Sequence, residues 1–484
     1  MEEVWYYYMD KLSSMLTSLD NQVTVNLRSA QIFTRPSKSN GLWCCILLPI
    51  ILNVYMLQYP VSPLYKIMAI LSIGMMTYSV LFIIFLSISC MVLQVQNYGG
   101  CVASVLTSVI LMYTALDYDL LFSLFFSVLG VFSYSSLLRY SVVKFQNTFT
   151  IGEAMVLSQS IIFFMVQPLV CYVGDLDEMD EEMHFITTII YIVLATVTLI
   201  LTGICALAED QRNLKSLMQI VGFAAAFAVV LLHSILGWNI ISQLWKYLFV
   251  TNNRSQIFLF WASLLGISIL VLTIRTRLAV KATTVTRKAF HISASLVFMS
   301  GILLDVNLMF IAGGIVFGLL LMVEALRKSD IEPVSSALQA VFEVYSDDKD
   351  SGYFAVTPIY LYFGLACPLA LVPQHEGYEV ELLSGVLSIG VGDTAASWFG
   401  SKYGFNKWSG GDRTYEGTVF NILSQVATVY TLILFELLNT RNALIRASIA
   451  ATIAGLVEAK TNQIDNLVLP LVTIIAFQFT WFLC

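Results

Sequence analysis

The sequence predicts an all-α polytopic membrane protein, and three observations carry this prediction. Of its 484 residues, 58% are hydrophobic and only 12% are charged, whereas soluble domains carry about 25% charged residues. Its apolar runs are long enough for membrane-spanning helices, which need about 20 residues. The runs lack the short alternating pattern of a membrane barrel, the other fold that satisfies its backbone in lipid. These observations exclude a soluble enzyme, a disordered chain and a disulfide scaffold.

Roughly 15 apolar runs with short loops are candidate transmembrane helices. They lie at 42–58, 66–94, 98–115, 119–138, 151–173, 185–207, 218–236, 255–274, 289–303, 307–325, 354–372, 380–399, 417–436, 442–457 and 465–484. The run at 66–94 suits one tilted helix or two short ones. We divide the chain into a polar N-terminal segment (1–41), a transmembrane scaffold (42–274) and a C-terminal transmembrane core (275–484).

The distribution of Lys and Arg predicts which loops face the cytosol. The loops at 275–288, 326–353, 400–416 and 458–464 hold 12 basic residues, whereas the opposite side of this half holds only Arg441 and Arg446. The positive-inside rule places the first set in the cytosol. The net charge of the chain is −7, which speaks against nucleic acid as a partner.

The segment 390–417 is the strongest candidate for chemistry. Asp393 ends an apolar run, and an acid at membrane depth is costly unless it is used. The loop after it holds five glycines and three cations, which are Gly400, Gly404, Gly410, Gly411, Gly417, Lys402, Lys407 and Arg413. Glycines let a backbone approach phosphate, cations neutralise it, and a nearby acid suits Mg²⁺. This pattern predicts a nucleotide triphosphate site, with an ordinary cytosolic loop as the alternative.

Two further clusters stand at predicted membrane edges. The acids around Asp350 precede the run at 354 and suit either a metal or the N-terminus of a helix.

Arg287, Lys288 and His291 begin the run at 289, where three- and four-residue spacing places them on one helical face. They suit either a polyanion site or topological anchors.

A fourth cluster holds Glu458, Asp465 and Asn466. Two acids and an amide at a membrane edge are expensive unless they are used or paired. In the topology above, all four clusters lie on the same side of the membrane. The sequence therefore predicts one composite site at the cytosolic membrane face.

These four segments, taken in order, resemble the dolichol kinases, polytopic enzymes of the endoplasmic reticulum that phosphorylate dolichol with CTP. The family's nucleotide motif is Asp-x-x-Ala-x-x-x-Gly-x-x-x-Gly, a short loop, and then Lys-Lys-Thr-x-Glu-Gly. Asp393, Ala396, Gly400 and Gly404 match its first part, and 413–417 (Arg-Thr-Tyr-Glu-Gly) match its end. Asp412 replaces the first lysine and reverses its charge. The resemblance covers roughly residues 275–484.

The resemblance implies transfer of the CTP γ-phosphoryl group to dolichol for protein glycosylation, in the endoplasmic-reticulum membrane with the site facing the cytosol. For this reaction we assign Asp393 to Mg²⁺, with Asp465 or Glu458 as a further ligand, and the sequence leaves activation of the alcohol open between Asp393 and Glu416. The residues expected to bind CTP are Gly400, Ser401, Lys402, Gly404, Lys407, Trp408, Gly410, Gly411, Arg413, Thr414, Tyr415 and Gly417. Those expected to support phosphate or metal are Arg287, Lys288, His291, Asp350, Glu458 and Asn466.

Other functions stay open at this point. A kinase of another isoprenoid alcohol and a lipid cytidylyltransferase are close alternatives, and the second would release pyrophosphate instead of CDP. A polytopic transporter also has many spans and intramembrane acids, although it needs no triphosphate loop at 400–417. Asp412 leaves room for a non-catalytic membrane subunit. The sequence leaves the oligomeric state open.

Overall fold

The computed structural model describes residues 2–174, 181–250, 254–278, 282–346, 352–409, 411 and 413–483. Within these ranges the secondary structure is helical, apart from an isolated antiparallel bridge between Lys407 and Thr414. Nine of the described helices are long and apolar enough to cross a membrane, and several shorter helices are apolar as well. The predicted all-α polytopic fold is confirmed, whereas the number of spans stays a prediction.

The described residues form two compact units. The first unit begins with α1 (Glu2–Ser29), a turn of 3₁₀ helix (Leu42–Ile46), α2 (Leu47–Gln58), α3 (Pro63–Ile88), α4 (Met91–Gln94), α5 (Tyr98–Ala115), α6 (Leu120–Lys144) and α7 (Ile151–Gly174). Local sequence sets several of these helix starts. Ser62 caps α3 by accepting from the Tyr65 amide ahead of Pro63, and Asn97 and Asp119 cap α5 and α6 in the same way.

The second unit holds the next twelve helices. They are α8 (Glu181–Ala206), α9 (Leu214–Leu236), α10 (Ile240–Trp245), α11 (Arg254–Arg277), α12 (Thr284–Leu304), α13 (Val306–Arg327), α14 (Val334–Tyr345), α15 (Val356–Leu371), α16 (Glu379–Leu382), α17 (Thr394–Tyr403), α18 (Tyr415–Leu434) and α19 (Ala443–Lys460). Two π-helical segments also belong here, Lys246–Val250 after α10 and Val386–Asp393 before α17. The last helix, α20 (Asp465–Gln478), lies in the first unit. The division into a scaffold and a catalytic core stays a prediction.

The polar N-terminal segment is anchored in the first unit by buried hydrogen bonds. The guanidinium of Arg35 forms two hydrogen bonds with the Glu153 carboxylate on α7, at 2.6 and 3.1 Å. The same carboxylate accepts from the backbone amides of Thr150 and Ile464. Because Arg35 is 4% exposed and Glu153 fully buried, the pair satisfies charges that would otherwise be costly.

The predicted span at 380–399 is divided among α16, the π-helical segment Val386–Asp393 and α17. Its glycines face two neighbouring helices. A Cβ atom at Gly390 would lie 2.0 Å from the Ser295 hydroxyl on α12, and one at Gly392 would lie 2.6 Å from the Gln425 amide on α18. Small residues let membrane helices approach closely. The two glycines thus allow the segment that ends in Asp393 to lie between α12 and α18.

Candidate functional site

The centre of the candidate site is an ion pair between residues from two predicted clusters. Lys288 lies in the second turn of α12, whose first turn is capped by the Thr283 hydroxyl. Its Nζ donates a hydrogen bond to Oδ2 of Asp393, although 105 positions separate the two residues. Asp393 ends the π-helical segment and is only 4% exposed. A buried carboxylate requires such a partner, because an unpaired charge away from water is costly.

Two further basic side chains act on the same carboxylate. His291, one turn beyond Lys288 on α12, and Arg413, from the loop before α18, both interact electrostatically with Asp393. His291 is buried, and its Nδ1 lies 3.2 Å from the carbonyl oxygen of Arg287. The fold thus gathers Asp393, part of the basic cluster on α12 and one cation of the loop. Such a concentration of positive charge around an acid suits a polyanionic ligand.

A layer of buried polar side chains from α18 and α19 lies next to this pair. Asn421 donates to the Glu458 carboxylate, and Gln425 donates to the side-chain oxygen of Asn421. Both amides face Gly392, the residue before Asp393. Glu458 was predicted, but sequence reasoning missed Asn421 and Gln425. A usable signal was present, since two amides four residues apart in an apolar helix lie on one face.

The loop between α17 and α18 folds back as a small hairpin. The backbone amide of Tyr415 donates to the Asn406 carbonyl, and that of Trp408 donates to the Arg413 carbonyl, both at 2.9 Å. Thr414 caps α18 by accepting from the Gly417 amide at 3.1 Å. The loop cations Lys407 and Arg413 are therefore carried on ordered backbone.

The Glu416 carboxylate holds this hairpin from the first turn of α18. It accepts hydrogen bonds from the backbone amides of Phe405 and Asn406, at 3.2 Å each, and from the Asn406 side chain at 2.8 Å. These contacts give Glu416 a positioning role in the loop. They favour Asp393 over Glu416 as the acid closest to the chemistry.

Three glycines of the motif lie where α17 meets the start of α18. A Cβ atom at Gly404 would lie 2.3 Å from the Gly400 carbonyl oxygen and 2.6 Å from the Thr414 methyl group. A Cβ at Gly417 would lie 3.4 Å from the Gly400 Cα. Close helix packing therefore accounts for these three positions. Gly411 differs, because the nearest atom to its Cβ position is 3.9 Å away, so it stays a candidate for contact with phosphate.

The other loop residues predicted to bind CTP contact aromatic rings or their own helix. The Lys402 ammonium lies 5.4 Å from the centre of the Trp398 ring, in cation–π contact, and the Ser401 hydroxyl donates to the Trp398 carbonyl. The Trp408 ring stacks on Tyr415 with centroids 4.0 Å apart, and its Nε1 donates to Thr418. Tyr415 covers one face of the Trp408 ring, so a nucleobase could stack only on the other face.

Some predicted residues lie elsewhere. Asp350 and Gly410, together with Asp412, fall outside the described residues. Asp465 and Asn466 begin α20, which belongs to the first unit, whereas Asp393 and Glu458 belong to the second. The contribution of Asp465, Asn466, Asp350 and Gly410 to the site stays a prediction.

The donor set of the site suits Mg²⁺ bound together with a nucleotide rather than in a cage of protein ligands alone. Among the described ranges, no three His, Cys, Asp or Glu side chains are grouped as a metal cage. Mg²⁺ commonly binds through one or two carboxylates together with substrate phosphates and water. Asp393, with Glu458 in the adjacent polar layer, fits that pattern of binding with a nucleotide.

Comparison with curated proteins confirms the resemblance to dolichol kinases. Bovine dolichol kinase is 29% identical over 348 residues, which cover 68% of this chain and 64% of the relative. Mouse dolichol kinase is 33% identical over 262 residues, covering 50% and 49%. Dolichol kinase of Saccharomyces cerevisiae is 27% identical over 323 residues, covering 62% and 60%. The chain thus spans less than two thirds of the length of each of these relatives.

Neither a family model nor a solved structure matches the chain.

Proposed function

We propose that this chain, a relative of the dolichol kinases, transfers the γ-phosphoryl group of CTP to dolichol. The products are dolichyl phosphate, for protein glycosylation at the endoplasmic reticulum, and CDP. The observation that carries the proposal is the ion pair between Lys288 and the buried Asp393, with His291 and Arg413 acting on the same carboxylate. Asp393 opens the motif that the chain shares with that family.

Phosphoryl transfer is mainly a matter of positioning and charge stabilisation, so the protein has little covalent chemistry to perform. Lys288 and Arg413 supply positive charge to the phosphates, and Lys402 and Lys407 add to it from α17 and the hairpin. Asp393 accepts the proton of the acceptor hydroxyl. The hydroxyl oxygen then bonds to the γ-phosphorus as the bond to the β-phosphate oxygen breaks and CDP leaves.

Mg²⁺ would be held by Asp393, with Glu458 in the adjacent layer, and when bound it would neutralise charge on the phosphates. Hydrogen bonds within the protein fix the positions of both acids. Asn421, which accepts from Gln425, donates to Glu458, and Lys288 donates to Asp393. Glu416 orders the hairpin that carries Lys407 and Arg413.

The position of the site at a predicted membrane edge suits the two substrates. The polyisoprenoid tail of dolichol stays in lipid, while its hydroxyl meets a water-soluble nucleotide. The bias of Lys and Arg supports a cytosolic position for this edge, where a water-soluble nucleotide can reach it. This orientation is part of the proposal.

The test is label transfer by the purified protein in detergent with Mg²⁺ and dolichol. We expect label from γ-labelled CTP in the lipid phase, CDP as co-product, and little transfer from ATP, GTP or UTP. Label from α-labelled CTP in the lipid would instead identify a cytidylyltransferase. If folded protein transfers nothing from any nucleotide, the proposal is wrong, and a transporter or a non-catalytic subunit becomes the better interpretation.

A further inference from the structure

A groove of about 590 Å³ begins beside the Lys288–Asp393 pair. One wall is α12, from Lys288 to Met299. The facing wall is formed by the π-helical segment and α17, with Ser424 and Thr428 of α18 completing it. At 1.5 Å per residue, the wall on α12 is about 16 Å long. The groove therefore extends from the charged pair along about three turns of α12, over the stretch that the sequence predicts to span the membrane.

The groove is charged at one end and apolar beyond it. Lys288 is the charged residue of its lining, and Ile292, Leu296 and Met299 follow along α12. The hydroxyls of Ser424 and Thr428 donate to carbonyl oxygens of their own helix. These two side chains therefore offer mainly carbon atoms to an occupant.

The floor of the groove is narrow because Ser295 and Gly390 meet there. Ser295 is 4% exposed, and its hydroxyl has no hydrogen-bond partner. Any side chain at Gly390 would collide with it. At the rim, by contrast, Ile292 is 46% and Trp398 is 44% exposed. The groove is thus open at its side, where a lipid chain can enter from the bilayer.

We propose that this groove binds the first isoprene units of the lipid alcohol and presents its hydroxyl to Asp393. The proposal rests on the proposed function, which supplies a polyisoprenoid acceptor. Two features select this occupant. The groove is continuous with the charged pair, so an amphiphile lying in it has its polar end at the site of transfer. The remaining lining is mostly apolar, which suits a hydrocarbon chain because burying apolar surface is favourable.

The test uses an isoprenoid alcohol that carries a photoreactive diazirine close to its hydroxyl end, without nucleotide, in lipid nanodiscs. In the wild type we expect the label on peptides from 288–299 and 386–399. Ile292→Trp fills the groove at its exposed rim. Leu319→Trp on α13 is the matched control, since Leu319 is also 46% exposed but does not line the groove. Ala395→Phe fills the groove from the opposite wall, so the test does not depend on one helix.

Ile292→Trp and Ala395→Phe should each reduce labelling about tenfold, because the displaced chain loses buried apolar area. They should raise the KM for dolichol by a similar factor and leave the KM for CTP unchanged, while Leu319→Trp behaves as wild type. Equal labelling of all four proteins, or label confined to other peptides, would overturn the groove assignment. Equally strong labelling by a straight-chain fatty alcohol would overturn its isoprenoid specificity. Labelling needs no turnover, so it supports the groove even if the wild type transfers no phosphate.

Discussion

Two buried charge clusters lie towards opposite ends of α19 and differ in their surroundings. Near the end of α19, Glu458 belongs to the polar layer beside Asp393 and Lys288. Near its start, Arg446 pairs with Glu381, whose carboxylate also lies 3.3 Å from Nε2 of His375. Each cluster contains buried carboxylates: Asp393 and Glu458 are 4% and 6% exposed, and Glu381 is 1% exposed.

The difference between them is the space beside each pair. Arg446 and Glu381 are 0% and 1% exposed, and the guanidinium also donates to the carbonyl of Gly377. Lys288, by contrast, lines the groove, and basic residues from two elements act on Asp393. Burial of a charge alone therefore does not mark a functional site in this protein. Adjacent open space and convergent charge distinguish the Lys288–Asp393 pair (the open pair) from Arg446, Glu381 and His375 (the sealed cluster).

The largest expected effect on stability is at the sealed cluster. Arg446→Met should lower the free energy of unfolding by about 3–5 kcal/mol, because Glu381 is left buried without its guanidinium. Thermal unfolding in detergent measures this loss. Changing both partners, as Arg446→Met with Glu381→Gln, should recover much of it. An unchanged unfolding midpoint with lost turnover would mean that the sealed cluster takes part in catalysis.

The next effect is on turnover, at the open pair. Lys288→Met should reduce kcat/KM about a hundredfold, because a cation facing the phosphates is lost. Lys288→Arg keeps the charge and should restore part of the activity. Steady-state label transfer measures both variants, with the unfolding midpoint as the control for folding. Full activity of Lys288→Met would remove Lys288 from the proposed mechanism.

A smaller effect should separate the two acids that the sequence left as alternatives. Glu416→Gln weakens the charge-assisted hydrogen bonds to Phe405 and Asn406, so the KM for CTP should rise about tenfold with kcat little changed. Initial rates over a range of CTP concentrations measure this. A collapse of kcat at unchanged KM would instead identify Glu416 as the base.

The smallest effect concerns Asp412, where the family motif has lysine. Asp412→Lys should lower the KM for CTP about threefold, because it adds positive charge near the phosphates, and the gain should fade with added salt. Asp412→Asn should give an intermediate value. A KM that does not change with either substitution would show that this position lies away from the nucleotide.

The sequence predicted the helical fold and the main partners of the site, for identifiable reasons. Composition and run length were enough for membrane helices, and the bias of Lys and Arg placed Lys288 and Asp393 on the same side. The π-helical segment was missed because nothing in an apolar run distinguishes a π-helix from an α-helix. The packing of Gly400 and Gly404 was missed because a glycine-rich loop is also typical of phosphate binding. Asn421 and Gln425 were missed although their four-residue spacing in an apolar run was a usable signal, because their contacts with Glu458 and Gly392 depend on how the helices pack.

The most direct test of the account compares Asp393→Asn with Glu381→Gln in one label-transfer experiment, with the unfolding midpoint of each. Asp393→Asn should keep a near-normal midpoint and lose about a thousandfold or more in kcat, because in the proposed mechanism Asp393 acts directly on the reacting groups. Glu381→Gln should have a lower midpoint, while its folded fraction retains near-normal turnover. Near-normal turnover by Asp393→Asn would contradict the account, because the open pair would then be as structural as the sealed one.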